Sequence, residues 1–80
     1  MNRQNGYYII GATFSHYHRN RAIYHKDVLD WVATYDEALE RAKETWEATG
    51  DEFEWVAPIW AVTWDTRNIG KYNFPCNFGR

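Results

Sequence analysis

Three histidines crowd one short stretch, His16 and His18 within Ser15-His16-Tyr17-His18 and His25 seven residues on. In an extended chain His16 and His18 point to the same side, an arrangement in which two imidazoles can share a divalent metal. Arg19 and Arg21 stand beside them and would repel a cation, so the expectation is solvated histidines and no metal ion. Cys76 is the single cysteine and lies in Asn73-Phe74-Pro75-Cys76-Asn77-Phe78, where no neighbour activates a thiolate. An internal disulfide cannot form, and no catalytic residue or cofactor is assigned.

Two charged sets remain, and both suggest binding rather than chemistry. Arg19, Arg21 and Lys26, interleaved with Tyr17 and Tyr24, are the residue types that contact phosphates and stack on bases. Glu37, Glu40, Glu44, Glu47, Asp51 and Glu52, with Glu54 after them, form the more distinctive set, spread over one helix face and the turn that follows. Carboxylates fixed along a rigid helix can take the place of phosphates in a basic groove on a partner.

The charge is segregated along the chain. Residues 1–26 carry Arg3, Arg19, Arg21 and Lys26 and no acid, whereas residues 27–66 carry all eleven acids against Arg41 and Lys43. The last fourteen residues return to positive charge through Arg67, Lys71 and Arg80. A small fold built from such a chain has an acidic side and a basic side, although the formal net charge is only −2.

Several elements must position these residues. Tyr7 to Phe14 is dense in aromatic and β-branched residues and reads as a strand. A second strand region lies within Ala22 to Thr34, with a bulge or kink expected at Lys26-Asp27. The polar stretch Ser15 to Arg21 then forms the hairpin connection, with Asn20 its best turn residue. Thr34-Tyr35-Asp36-Glu37 has the spacing of a reciprocal helix cap, and Gly50 is a stop signal. Between them Tyr35, Ala38, Leu39, Ala42 and Trp46 recur at helical spacing. This predicts an amphipathic helix from about Tyr35 to Thr49, packed through Leu39, Ala42 and Trp46, with Glu37–Arg41 and Lys43–Glu47 pairs on its outside.

Phe53 to Trp64 reads as a long strand apolar on both faces, Trp55, Ile59 and Ala61 on one and Val56, Trp60, Val62 and Trp64 on the other. Pro58 cannot donate to a ladder, so the strand is at an edge there or bulged. Tyr72, Phe74 and Phe78 suggest a short last strand or an aromatic arm. The fold class that follows is α+β: a small antiparallel sheet of three or four strands with one amphipathic helix on one face, in the order β-β-α-β. It forms a single domain over residues 1–80, in which 66–80 is an extended C-terminal arm. One helix covers one side of such a sheet. The exposed rings Trp60 and Trp64, with Val62, therefore point to a homodimer or to cover by the C-terminal arm.

The segment Ala33-Thr34-Tyr35-Asp36-Glu37-Ala38-Leu39-Glu40-Arg41-Ala42, followed by Phe53-Glu54, resembles the corresponding part of the short phage inhibitors of host RNA polymerase. That resemblance implies a β-β-α-β plan and stoichiometric blockade of a host protein, a mode shared by small anti-CRISPR and anti-restriction proteins.

Composition bounds the remaining possibilities. The chain has 80 residues, of which 19% are aromatic. A chain this size buries only about 63% of its unfolded surface, and large rings at ~150–250 Å² each supply much of that burial. Such a composition excludes disorder, collagen and disulfide scaffolds. The longest uncharged apolar run, Trp55 to Trp64, is half a membrane span, and the first residues lack an apolar signal core. The expectation is a soluble protein of the host cytoplasm that makes no membrane contact. Its expected function is non-enzymatic inhibition of a host or defence-system protein with a basic groove, through Glu37, Glu40, Glu44, Glu47, Asp51, Glu52, Trp60 and Trp64. The alternative is a nucleic-acid-binding accessory protein that uses Arg19, Arg21, Lys26, Tyr17 and Tyr24.

Overall fold

A computed structural model describes residues 5–50, 52–62 and 78–79. It is an α+β fold: strands β1 (Tyr7–His18) and β2 (Arg21–Val32), helix α1 (Tyr35–Thr49), then strands β3 (Trp55–Trp60) and β4 (Phe78–Gly79). All strand pairs are antiparallel, in the order β2-β1-β3-β4, and α1 packs on one face of the sheet.

The first hairpin is longer than its composition suggests. Ser15 to His18 and Arg21 belong to strands rather than to the connection, which shrinks to Arg19-Asn20. Both turn residues have positive φ, 51° and 66°. Positive φ at both central positions is the backbone of a two-residue turn whose twist matches that of the flanking strands. Asn tolerates that region well; Arg is held there by the ladder around it.

The expected bulge at Lys26-Asp27 is absent, since those residues pair in register with Ala12 and Gly11. The register instead shifts at two other places. Asp30 faces Ile9 and Val28 faces Ile10, so Leu29 is the extra residue on β2; Phe14 faces Tyr24 and His16 faces Ile23, so Ser15 is the extra residue on β1. Each bulge reverses the alternation beyond it. Asp30, in step with buried Val32 and opposite Ile9, faces the helix side, where it forms an ion pair with Arg41 of α1. The other Asp30 oxygen accepts the Trp31 amide at 2.7 Å. An edge strand is thereby blunted by a bulge and a charge.

Helix α1 begins and ends at the residues its caps specify. The Glu37 amide donates to Thr34 Oγ1 at 3.3 Å, and the chain leaves through Gly50 at φ 58°. The expected reciprocity is only half present, because the Glu37 carboxylate accepts the Thr34 hydroxyl at 3.2 Å rather than a backbone amide. The buried stripe is Ala38 and Ala42, with Leu39 half-buried at its margin and Trp46 packed beside it. Two alanines in line let the helix axis approach the sheet closely, which displaces Leu39 from the centre of the contact expected for it.

Ile9, Val32, Phe53 and Val56 complete the core beneath the helix. Gly11 makes room for Phe53: a Cβ there would lie 2.8 Å from the Phe53 ring and from Leu29 Cδ1. On the other face Tyr8, Ile10, Ile59 and Ala61 are buried, with Trp31 and Trp55 packed against them. Trp60, on which the expected dimer rests together with Val62 and Trp64, lies on the helix side instead and is exposed. The expected sorting of Trp55, Ile59 and Ala61 from Val56 and Trp60 does hold.

Strand β3 stops at Trp60 and the chain turns helical at Ala61-Val62, shorter than the expected run to Trp64. Its partner β1 begins at Tyr7, so the ladder closes with the Ala61 amide on the Gly6 carbonyl at 2.9 Å. Beside β3, β4 pairs only with Trp55 and Val56. No described strand flanks Pro58 on that side, and its missing N–H leaves no ladder position empty. Phe78 lies in β4 as expected, whereas Tyr72 and Phe74 lie outside the described residues.

Candidate functional site

Strand β3 pairs with β1 only from Tyr7 to Ala12. Beyond that point β1 and β2 continue as a two-stranded ribbon whose residues are exposed, apart from half-buried Thr13, Tyr24 and Lys26. With principal extents of 39 × 29 × 17 Å, the protein is long and flat.

The bulge at Ser15 decides what the ribbon presents. By simple alternation Phe14 and Tyr17 would face opposite ways; with one residue inserted between them they share a side. Their ring centroids are 5.0 Å apart, and Tyr24 meets Phe14 edge-on at 6.2 Å. Tyr24 in turn meets Trp55 of the sheet at 6.2 Å, so the row of rings is anchored to the body of the fold. Lys26 lies on the same side, two residues from Tyr24. The opposite side carries His16, His18, Arg21, Ile23 and His25.

The histidines do share a side, but His16 and His25 are engaged locally. His16 Nδ1 is 2.9 Å from Ser15 Oγ, and His25 Nε2 is 3.1 Å from Asp27 Oδ1. Asp27 is a carboxylate that the sequence reading of these histidines left out. Among the described residues no three His, Cys, Asp or Glu side chains gather as a metal set.

On helix α1 and the turn that follows it, Glu37, Glu40, Glu44, Glu47 and Glu52 are all exposed. The expected Glu37–Arg41 and Lys43–Glu47 pairs are not formed; among the described residues the ion pairs are Arg41–Asp30 and His25–Asp27. Arg41 reaches across to β2 because Asp30, in step with Val32, faces the helix side. The helix carboxylates are left facing water with no described cation against them. Asp51, Trp64 and Cys76 lie outside the described residues. Trp60 is 52% exposed, next to Tyr7 in the ladder and on the helix side of the sheet.

A hollow of about 350 Å³ lies around the Leu29 bulge, lined by Tyr8, Val28, Leu29, Asp30 and Trp31. The charged group among its described lining residues, Asp30, is already held by Arg41 and by the Trp31 amide. No helix among the described residues is long and apolar enough to cross a membrane.

Of the residues the sequence singled out, the structure brings together Tyr17, Tyr24 and Lys26 and separates Arg21 from them. The sequence reading passed over Phe14 and Trp55 as members of that surface. The available signal was Asn20: once it centres a tight turn, Phe14 falls opposite Tyr24 only if one residue bulges. Comparison with protein-family models, with curated proteins and with solved structures found no match for this chain.

Proposed function

We propose that the chain is a protein-binding inhibitor without catalytic chemistry of its own, which occludes a basic groove on a host or defence-system protein. The contact surface is the outer face of α1, Glu40, Glu44 and Glu47, continued by Asp51 and Glu52. One observation carries this reading. The last turn of α1 holds Glu47 and no base, and acids follow it, although the helix dipole favours cations at that end. Placing carboxylates where they weaken the helix, with no described cation to neutralise them, breaks a local rule of stability. Such violations concentrate where a surface is kept for a partner.

The resemblance of residues 33–42 and 53–54 to the phage polymerase inhibitors supports the same mode of action, a compact module that blocks by occupancy. Capture from host lysate tests it. The reading requires a retained protein that is released by rising salt and by a polyanion such as heparin, and that is not retained by Glu40→Lys/Glu44→Lys/Glu47→Lys. A partner that ignores both heparin and the triple reversal would refute it.

A further inference from the structure

We infer that the aromatic side of the β1–β2 ribbon is a second binding site, one for single-stranded nucleic acid. It is distinct from the helix face and goes beyond the inhibitor reading. Phe14, Tyr17 and Tyr24 form a continuous row, and the two outermost rings are held open to solvent, Phe14 at 44% and Tyr17 at 72%. A soluble protein gains nothing in stability by exposing two adjacent rings on a protruding ribbon. Base stacking gives them a use, because every base has a π-face and needs no particular hydrogen bond.

Charge selects the occupant. Residues 13–26 contain Arg19, Arg21 and Lys26 and no acid, in a chain whose formal net charge is −2. Lys26 stands at the sheet end of the ring row and Arg19 at the tip, so a cation brackets the rings at each end. At ~3.3 Å per strand residue the two are about 20 Å apart, room for a short strand with one base on each ring and phosphates near each cation. Duplex DNA offers its bases only as edges in a groove, so these rings would have nothing to stack on.

The Ser15 bulge is the device that builds the site, since it alone puts Tyr17 beside Phe14. Arg21, on the opposite side with the histidines, adds to the field but touches no bound strand.

Fluorescence anisotropy of a dye-labelled oligothymidylate, titrated with the full chain, is the test. Saturable binding that weakens with salt is expected. Tyr17→Ala, at an exposed position that leaves the fold intact, should weaken binding by about 5- to 150-fold, the worth of one stacked base. Arg19→Ala/Lys26→Ala should lower the slope of log affinity against log salt by about 1.4, two phosphate contacts on a single strand. Arg21→Ala should change affinity less than either cation of the row.

The neutralised helix variant Glu40→Gln/Glu44→Gln/Glu47→Gln should bind the oligonucleotide at least as well as wild type while losing the protein partner. This separates failure of the two sites. No binding at low salt, equal affinity for a duplex, or an unchanged affinity in Tyr17→Ala would each overturn the proposal. So would a ribbon whose Tyr17→Ala variant loses a protein partner while oligonucleotide binding is absent in wild type.

Discussion

Replacing Glu47 by lysine should make the protein more stable while weakening its function. Glu47 is exposed in the last turn of α1, where the free carbonyls present a partial negative charge and no base offsets it. Removing the carboxylate relieves about 0.3–1 kcal/mol of repulsion, and the ammonium adds a similar attraction. Attraction between the new ammonium and Glu44, three residues before it, contributes ~0.2–0.5 kcal/mol, and repulsion from Lys43, four residues before it, removes about as much. No ion pair among the described residues is lost, since Lys43 and Glu47 do not pair. The net gain is roughly 0.6–2 kcal/mol, and for a domain of this size each kcal/mol raises Tm by about 4–8 °C. Circular dichroism melts should therefore show an increase of roughly 2–16 °C at low ionic strength. The gain should largely vanish at ~1 M salt, where the Debye length falls to about 3 Å. An unchanged or lowered Tm at low salt would show that the acids at this end do not cost stability. The argument that they are kept for a partner would then lose its basis.

Further predictions probe how the body of the fold holds these surfaces. Gly11→Ala places a Cβ 2.8 Å from both Phe53 and Leu29 and should destabilise by about 1–2 kcal/mol, read as a fall in urea midpoint; Gly11→Ala/Phe53→Leu should recover part of the loss. Ala42→Asp buries an unpaired carboxylate beneath the helix and should unfold the chain, whereas Leu39→Asp, half-buried at the margin, should cost less; equal losses would place the helix stripe wrongly. Thr34→Ala should lose about 1 kcal/mol with the cap that Glu37 uses, measured by thermal melting, and Thr34→Ser should retain most of it.

What the sequence made legible, and what it hid, follows from where burial creates contrast. Helix α1 could be read to both ends, because Thr34 and Gly50 mark them chemically and the apolar spacing between them has one period. The two faces of β3 could be sorted because both are buried and the alternation is unbroken from Trp55 to Trp60. The ribbon could not be read in this way. Ser15 to His18 lies in water on both sides, so strand and loop look alike in composition, and only the turn at Arg19-Asn20 shows that pairing continues. Neither bulge has a residue signature of its own. Ser15 and Leu29 are ordinary strand neighbours, and the extra residue shows only once the two strands are laid side by side. The consequences for the sites are direct. Asp30, in step with Val32, gives Arg41 a partner other than Glu37, and without the Ser15 bulge Phe14 does not join Tyr17. Leu39 reads as a deep contact because it is large, but two alanines in line draw the helix axis over themselves.

One titration decides whether the exposed carboxylates of α1, which pair with no cation among the described residues, are the contact with a basic protein partner. The captured partner, once purified, is titrated against wild type and against Glu40→Lys/Glu44→Lys/Glu47→Lys at low and physiological salt. Wild type should bind more weakly as salt rises. The triple reversal should not bind measurably, since like charges brought together at an interface cost several kcal/mol, while its far-UV spectrum and melting stay those of a folded protein. Equal affinity of the folded triple reversal and wild type would rule that contact out.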